Sequence, residues 1–144
     1  MRVFIDADAC PVTDIAIRIS LAHRAPVTLV CDDAHELSRE GAVTLTVARG
    51  ADSADFALVN LLDRGDVVVT QDYGLAAMCL SRGARVLHQD GWEYTARNIE
   101  GLLSMRHAAR KARRGGGRVK GPPKRLREND DAFARALKAI LTAS

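Results

Sequence analysis

Residues 3–12 read VFIDADACPV, an apolar run that ends in two aspartates, Asp6 and Asp8, with one alanine between them. The run predicts a buried strand at residues 3–6, and Pro11 predicts the first turn of a helix that continues to about His23. Two carboxylates this close repel each other, and burying them is costly unless something binds between them. The stretch therefore predicts a strand and a helix joined by a loop that carries an acidic pair.

The rest of the chain continues the alternation of strand and helix. Further strands are predicted at residues 27–31, 42–48, 66–72 and 84–88, and further helices at 52–62, at 73–82, from Thr95 into the residues beyond 105, and from Asn129 or Asp130 to about Thr142. Several strands are apolar throughout, which is typical of a parallel sheet covered on both faces. The predicted fold class is α/β, with a mainly parallel sheet flanked by helices in residues 1–105. Residues 106–144 are predicted to form a basic C-terminal extension, an arm and a helix that pack on the same domain.

The composition limits the classes of protein to which the chain can belong. Its 144 residues suffice for one domain with a single core, and 47% of them are hydrophobic. No apolar run approaches the roughly 20 residues of a membrane helix, and the N-terminus lacks the apolar region of a signal peptide. The three cysteines form no CxxC pair, which argues against a disulfide framework and a structural zinc site. We expect a cytoplasmic, reduced protein with no membrane partner, and the sequence leaves homo-oligomer formation open.

The net charge of +3 conceals an asymmetry along the chain. Residues 1–105 hold fifteen acidic and nine basic side chains, whereas residues 106–127 hold ten basic and no acidic ones. We expect this basic run to repel itself and stay extended unless an anion condenses it. Arg and Lys interspersed with Gly are suited to follow a phosphate backbone, and the run has no aromatic residue for stacking on bases.

The basic run therefore predicts binding of nucleic acid, RNA in preference to DNA, without strong sequence preference. The candidate nucleic-acid-binding residues are Arg106, Arg110, Lys111, Arg113, Arg114, Arg118, Lys120 and Lys124. The alternative is a solvated tail that aids solubility or docks on the acidic body of the same molecule.

Aspartates follow the predicted strands at the points where those strands end. In an open parallel sheet, functional groups gather at the carboxyl ends of the strands. Carboxylates that converge there are hard oxygen ligands suited to Mg²⁺ or Mn²⁺, and one or two such ions activate water and stabilise charge on a phosphodiester. The pattern predicts metal ligands at Asp6, Asp8, Asp52, Asp55 and Asp72, of which Asp6, Asp8 and Asp72 are also the candidate catalytic residues.

Several of these acids also have a structural interpretation. Asp52 and Asp72 stand where helix caps stand, and a cap alone explains an aspartate there. Asp55 fits an exposed surface position, and Asp90, beyond the fifth strand, belongs to an Asp-Gly turn dipeptide. The Asp6 and Asp8 pair is harder to explain in this way, because a cap needs one carboxylate.

Six ordered motifs resemble the YaiI/YqxD family of uncharacterised bacterial proteins. They are DADACPV, GADSADF, VVVTQDYGLAA, the YT-x-x-NI of residues 94–99, the RH of residues 106–107 and the GGR-x-KGP of residues 116–122. That family is similar in turn to the PIN-like nucleases, whose acidic Mg²⁺- or Mn²⁺-dependent site lies at the carboxyl edge of the sheet. The resemblance implies that Asp6 matches the first-strand aspartate of such sites, Asp72 the aspartate of the T-x-D strand end, and Asp52 or Asp55 the acid of the middle helix. Asp8 belongs to the family's own DADACP motif.

Other phosphate chemistries fit the sequence less well. The DxD pair after a strand also resembles the first motif of haloacid-dehalogenase-type phosphatases, with Asp6 as nucleophile and Asp8 as acid/base. Those enzymes usually add a lysine, and here no lysine precedes Lys111. Cys10 at a helix start favours a thiolate, but a cysteine phosphatase would need an arginine closer than Arg18. No Walker or dinucleotide fingerprint is present, so no nucleotide cofactor is expected.

The sequence therefore favours metal-dependent hydrolysis of phosphodiester bonds, with RNA as substrate. The alternative from another class is a protein that keeps the fold and binds nucleic acid without cleaving it.

Overall fold

The computed structural model describes residues 1–32, 37–48, 53–114, 116 and 124–143, with the backbone alone for Ser53, Arg106, Arg113 and Arg114. In chain order the elements are β1 (Val3–Asp6), α1 (Thr13–Ala22), β2 (Val27–Asp32), β3 (Ala42–Val47), α2 (Ser53–Leu61), β4 (Val67–Val69), α3 (Tyr73–Ser81), β5 (Arg85–Leu87), β6 (Glu93–Tyr94), α4 (Ile99–Arg114) and α5 (Arg127–Thr142). None of the described helices is both long and apolar enough to cross a membrane.

The strands form one sheet in the order β3-β2-β1-β4-β5-β6. The first five strands in this order are parallel, and β6 pairs antiparallel with β5. The predicted α/β fold class with a mainly parallel sheet is confirmed, and the observed architecture does not conflict with a PIN-like description. The chain runs outward in one direction from β1 to β3 and in the other from β4 to β6. The boundary between β1 and β4 is thus the topological switch point, where open α/β sheets bind their ligands.

Apolar layers cover both faces of the sheet. On the face of Ile5, α1 and α5 close the core, and Phe133 of α5 is fully buried there. On the face of Phe4, α2 and α3 close the core through residues such as Leu75, and Leu102 of α4 packs against them. Side chains alternate along a strand, so Asp6 follows Phe4 on the α2–α3 face, at the carboxyl end of β1.

The structure corrects three predicted helix starts. Helix α1 begins at Thr13 rather than Pro11, because the chain first turns through a loop in which Ala9 has a φ of 58°. Helix α4 begins at Ile99 rather than Thr95, after reciprocal hydrogen bonds in which each of Thr95 and Asn98 donates its backbone N–H to the other's side chain.

Helix α5 begins at Arg127, before the predicted cap at Asn129 or Asp130. The Asn129 side chain instead lies inside the first turn, where its Oδ1 accepts a hydrogen bond from the Leu126 N–H at 2.8 Å. This contact satisfies a donor at the helix terminus from within the helix. The predicted cap of α2 by Asp52 lies outside the described residues.

One further element is missed, and one expectation is wrong. Strand β6 is not anticipated by the sequence, since two residues are too few to produce a recognisable pattern. Residues 106–114 form the second half of α4, which confirms the helix predicted to run beyond residue 105 and contradicts the expectation that the basic run is extended there. The first half of that helix packs on the core through Ile99 and Leu102, and repulsion between like charges one turn apart costs only about 0.2–0.5 kcal/mol for each pair.

Gly91, in the turn between β5 and β6, provides a test of how this turn meets α5. Its φ is 94°, and a Cβ added there lies 2.6 Å from the backbone carbon of Ala132. Gly65 has a similar φ of 90°, but an added Cβ meets no described atom within 4 Å. We expect Gly65→Ala to cost about 1–2 kcal/mol through backbone strain. Gly91→Ala should cost about 1–3 kcal/mol more through overlap with α5.

Urea unfolding of the two variants and the wild type measures this difference. Equal losses of stability in the two variants would contradict the close approach of the turn to α5.

Candidate functional site

A hydrogen bond joins β1 and β4 at the switch point. Thr70, which directly follows β4, donates from its hydroxyl to Asp6 Oδ2 at 2.8 Å. The same hydroxyl accepts a hydrogen bond from the Asp72 N–H at 3.0 Å. Thr70 is 2% exposed, so both bonds lie away from bulk water. The threonine thus fixes Asp6 against the segment that carries Asp72.

Asp72 caps helix α3. Its Oδ1 accepts hydrogen bonds from the N–H groups of Gly74 and Leu75 at 2.9 and 3.2 Å. The structural interpretation of this aspartate is therefore confirmed. The cap also fixes the carboxylate at the end of β4, where the metal-site prediction requires it.

The charges of the predicted acids Asp8, Asp55 and Asp72 act on Asp6. The pKa of Asp6 is raised from its ordinary value of 3.8 to about 6, first by burial and then by the charges of Asp55, Asp72 and Asp8, against the lowering effect of the Thr70 hydrogen bond. Four carboxylates therefore share one region at the carboxyl edge of the sheet.

The thiol of Cys79, buried in α3, responds to the same group of carboxylates. Its pKa is raised to about 12, first by burial and then by the charges of Asp55, Asp6 and Asp72. The pKa values of two different groups, Asp6 and the Cys79 thiol, thus respond to the charges of Asp55 and Asp72. This shared response indicates that Asp55 and Asp72 lie close to Asp6. We refer to Asp6, Asp55 and Asp72 as the carboxylate cluster.

Asp8 also belongs to a neighbouring cleft. Its Oδ2 accepts a hydrogen bond from the Asp32 N–H at the end of β2, at 3.2 Å. It lines a pocket of about 600 Å³ together with Cys10, Thr13, Arg39 and Arg125, among others, but without the members of the carboxylate cluster. Burial raises the pKa of the Cys10 thiol, so the thiolate that its place near a helix start suggested is disfavoured.

The structure separates Asp90 from the other acids. Arg125 donates from Nη1 to Asp90 Oδ1 at 2.7 Å and from Nη2 to the carbonyl of Gln89 at 2.8 Å. Arg125 also pairs with Asp130 at 2.7 Å. Asp90 thus helps to hold the start of α5 on the β5–β6 turn.

The remaining predicted site residues are distributed as follows. Among the described residues, no three His, Cys, Asp or Glu side chains form a group ready to hold a metal ion. Asp52, Arg118 and Lys120 lie outside the described residues, as do the side chains of Arg106, Arg113 and Arg114. Arg110 and Lys111 on α4 and Lys124 before α5 are exposed.

Sequence reasoning missed two residues that hold the site together. Tyr94 is 1% exposed, and its hydroxyl donates to the carbonyl oxygen of Thr70 at 3.2 Å. Thr70 itself had a local signal, since a hydroxyl after three consecutive valines of a buried strand is placed to bond at the sheet edge. Tyr94 begins the YT-x-x-NI motif, but no local pattern predicts its contact with Thr70, which lies 24 residues earlier in the chain.

Comparison with known proteins places this architecture in a family. The family model described as "Uncharacterized BCR, YaiI/YqxD family" matches residues 4–143. The chain belongs to this family. The resemblance inferred from the six motifs is therefore confirmed over nearly the whole chain.

Individual relatives agree with this assignment. The chain is 49% identical over 142 residues to a UPF0178 protein of Exiguobacterium sibiricum, a match that covers 99% of this chain and 97% of the relative. It is 47% identical to a UPF0178 protein of Clostridium acetobutylicum, with 98% and 97% covered, and 40% identical to one of Bacillus cereus, with 98% and 99% covered. No solved structure matches the chain.

The raised pKa of Asp6 makes stability depend on pH in a defined direction. A carboxyl with a folded-state pKa above its unfolded value stabilises the fold most at low pH, and this contribution is lost as pH rises through about 6. Relative to Asp6→Asn, the wild type should lose up to about 3 kcal/mol of unfolding free energy between about pH 4 and pH 7.5. Asparagine keeps an acceptor for the Thr70 hydroxyl, so the comparison isolates the charge.

Urea unfolding across this pH range measures the effect, with the exposed Asp131→Asn as control. If the difference between the wild type and Asp6→Asn stayed constant with pH, Asp6 would not titrate near 6 in the folded protein.

Removal of the Thr70 hydroxyl should raise the pKa of Asp6 above about 6, because the hydrogen bond from Thr70 lowers it. Thr70→Val keeps the side-chain shape but removes the donor to Asp6 and the acceptor of the Asp72 N–H, whereas Thr70→Ser keeps the hydroxyl. The carboxyl carbon shift of Asp6, followed by NMR against pH, measures the pKa. An unchanged value in the valine variant would contradict the hydrogen bond.

Proposed function

We propose that this protein is a Mg²⁺- or Mn²⁺-dependent nuclease that hydrolyses phosphodiester bonds in RNA. The observation that supports this most is the convergence of Asp6, Asp55 and Asp72 at the switch point of a parallel sheet, where their charges raise the pKa of Asp6. Repulsion of this kind is relieved by a cation between the carboxylates. The chemistry of the donors and their place in the fold both favour this function.

The residues fit a hard divalent cation by their chemistry. Carboxylate oxygens are the ligands that Mg²⁺ and Mn²⁺ prefer, and a Mg²⁺ ion usually keeps several waters while one or two carboxylates and the substrate phosphate complete its coordination. A ready-made group of three side chains is therefore not required. The side chains that would hold the ion are Asp6 and Asp72, with Asp55 and Asp8 next to them.

The hydrogen bonds around Asp6 favour one of its oxygens as a ligand. Among the described residues Thr70 donates to Oδ2, which leaves Oδ1 to bind an ion or to accept a proton from water. With a pKa near 6 in the metal-free protein, this carboxyl is ionised at neutral pH and can therefore hold a cation. A bound divalent cation supplies charge stabilisation on the phosphate and lowers the pKa of a coordinated water.

The basic helix α4 supplies the contacts to the nucleic acid in this proposal. Arg110 and Lys111 are exposed on its second half, and α4 packs on α3, whose first residue follows Asp72. The positive charges therefore lie on a helix that packs against α3, the helix that Asp72 caps. Phosphates of the strand on either side of the cleaved bond are suited to this helix.

Cleavage of a fluorescently labelled single-stranded RNA tests the proposal. The wild type, first treated with EDTA and then supplied with Mn²⁺ or Mg²⁺, should cleave the RNA by adding water across a P–O bond, giving a phosphate end and a hydroxyl end. Asp6→Asn and Asp72→Asn should each lose at least about 100-fold in rate, since even residues behind a metal ligand are worth 10- to 100-fold. Asparagine also caps helices well, so Asp72→Asn is expected to keep its fold.

Asp131→Asn is the matched control, because it removes an exposed carboxylate on α5 and should leave cleavage unchanged. Mn²⁺ binding to the same proteins is followed by calorimetry. Metal binding without RNA cleavage would contradict the nuclease and favour a binding protein. Cleavage that persists in EDTA, or in both aspartate variants, would contradict the proposed metal site.

A further inference from the structure

We propose that Trp92, with Tyr73 beside it, forms a platform on which one unpaired base of single-stranded RNA stacks, next to the carboxylate cluster. This inference rests on the proposed function, since it names the form of RNA that the site takes. The basic run carries no aromatic residue, so base contacts must come from elsewhere in the chain. The only tryptophan of the chain lies in the turn that precedes β6.

Four rings form a cluster at the carboxyl edge of the sheet. Trp92 stacks on His88, with ring centroids 4.3 Å apart and planes 12° apart. Tyr94 meets Trp92 edge-on at 4.6 Å, and the Tyr73 ring lies 6.5 Å from Trp92 with its plane tilted by 60°. Such arrangements of aromatic pairs are favourable beyond the area they bury. The cluster therefore holds the indole in a fixed orientation.

The cluster has a buried back and a partly exposed front. Tyr94 is 1% and His88 9% exposed, whereas Trp92 and Tyr73 are both partly exposed. His88 is fixed further, because its Nδ1 accepts a hydrogen bond from the Asp90 N–H at 3.0 Å and its backbone N–H donates to the Trp92 carbonyl at 2.9 Å. A platform fixed in advance loses little entropy when a base stacks on it.

The front of the cluster adjoins the proposed cleavage site. Tyr73 is the residue after Asp72, at the start of α3. Tyr94 donates its hydroxyl to the carbonyl of Thr70, the residue that bonds Asp6. A base stacked on Trp92, beside Tyr73, would thus be close to a phosphate held at the carboxylate cluster.

The platform also adjoins the basic helix. Ile99 and Leu102 of α4 pack against the same apolar layer as Tyr73 and Trp92. From Leu102 the helix rises about 14 Å to Lys111, and it exposes Arg110 and Lys111 on the way. Cations for the phosphates therefore lie on the helix whose first half packs beside the aromatic cluster. Unpaired bases are the ones that proteins stack on aromatic side chains, since paired bases are closed within a duplex.

The single tryptophan allows a direct test of stacking. The wild-type protein is kept in EDTA, which prevents the proposed metal-dependent cleavage. Its tryptophan fluorescence is followed while single-stranded oligo(U), the same strand paired to oligo(A), or inorganic polyphosphate is added. The single strand should quench Trp92, and the other two should not. Quenching by polyphosphate, or equal quenching by the duplex, would overturn the proposal.

Affinity variants test whether the contact contributes to binding. Binding of labelled oligo(U), followed by anisotropy in EDTA, should weaken about 5- to 100-fold in Trp92→Leu, which is the range for loss of one stacked base. Trp92→Phe keeps an aromatic ring, so its affinity for oligo(U) should lie between those of the wild type and Trp92→Leu. Phe56→Leu is the matched control, because Phe56 is an aromatic residue, 56% exposed, outside the ring cluster. Melting followed by circular dichroism checks that each variant is folded.

The outcomes separate this inference from the proposed nuclease. Unchanged oligo(U) affinity in folded Trp92→Phe and Trp92→Leu would overturn the platform, whether or not the wild type cleaves RNA. An equal loss in Phe56→Leu would also overturn it, because the effect would not be specific to the cluster. Quenching and affinity loss as expected, with no cleavage when Mn²⁺ is added, would support the platform and contradict the nuclease.

Discussion

The hydrogen bond from the Thr70 hydroxyl to Asp6 Oδ2 is the contact on which the candidate site depends. It joins residues 64 positions apart, at the carboxyl ends of β1 and β4, the two strands between which the strand order reverses. The same hydroxyl accepts from the Asp72 N–H, and the Thr70 carbonyl accepts from Tyr94. One buried threonine therefore fixes the position of a carboxylate, a helix cap and an aromatic cluster relative to one another.

The carboxylates at this point are costly for the fold. Burial and the charges of its neighbours raise the pKa of Asp6, which means that the ionised form is less stable in the folded protein than in water. A fold selected for stability alone would place apolar residues at this edge of the sheet, or a single aspartate that caps a helix. Strongly perturbed ionisable groups of this kind cluster at functional sites, and the cation in our proposal would relieve the repulsion.

The chain concentrates its acidic and basic side chains in different parts of the fold. The acids converge at the sheet edge, whereas the basic residues 106–114 continue a helix whose first half is anchored in the core. Within the basic run, Arg125 is paired with Asp90 and Asp130 and holds the start of α5 against the β5–β6 turn. A basic residue in a charge run is thus not automatically a contact for nucleic acid.

The sequence by itself determined what depends on neighbours along the chain. The alternation of apolar strands and helices predicted the α/β class, and the position of Asp72 before an apolar helix predicted that Asp72 caps that helix. Both patterns involve residues within a few positions of each other. The motifs also gave the family. The tertiary structure alone decided the strand order, the two-residue strand β6 and the contacts of Thr70, Tyr94 and Arg125. These depend on packing between segments up to 64 residues apart, and no local pattern encodes which strand ends become neighbours.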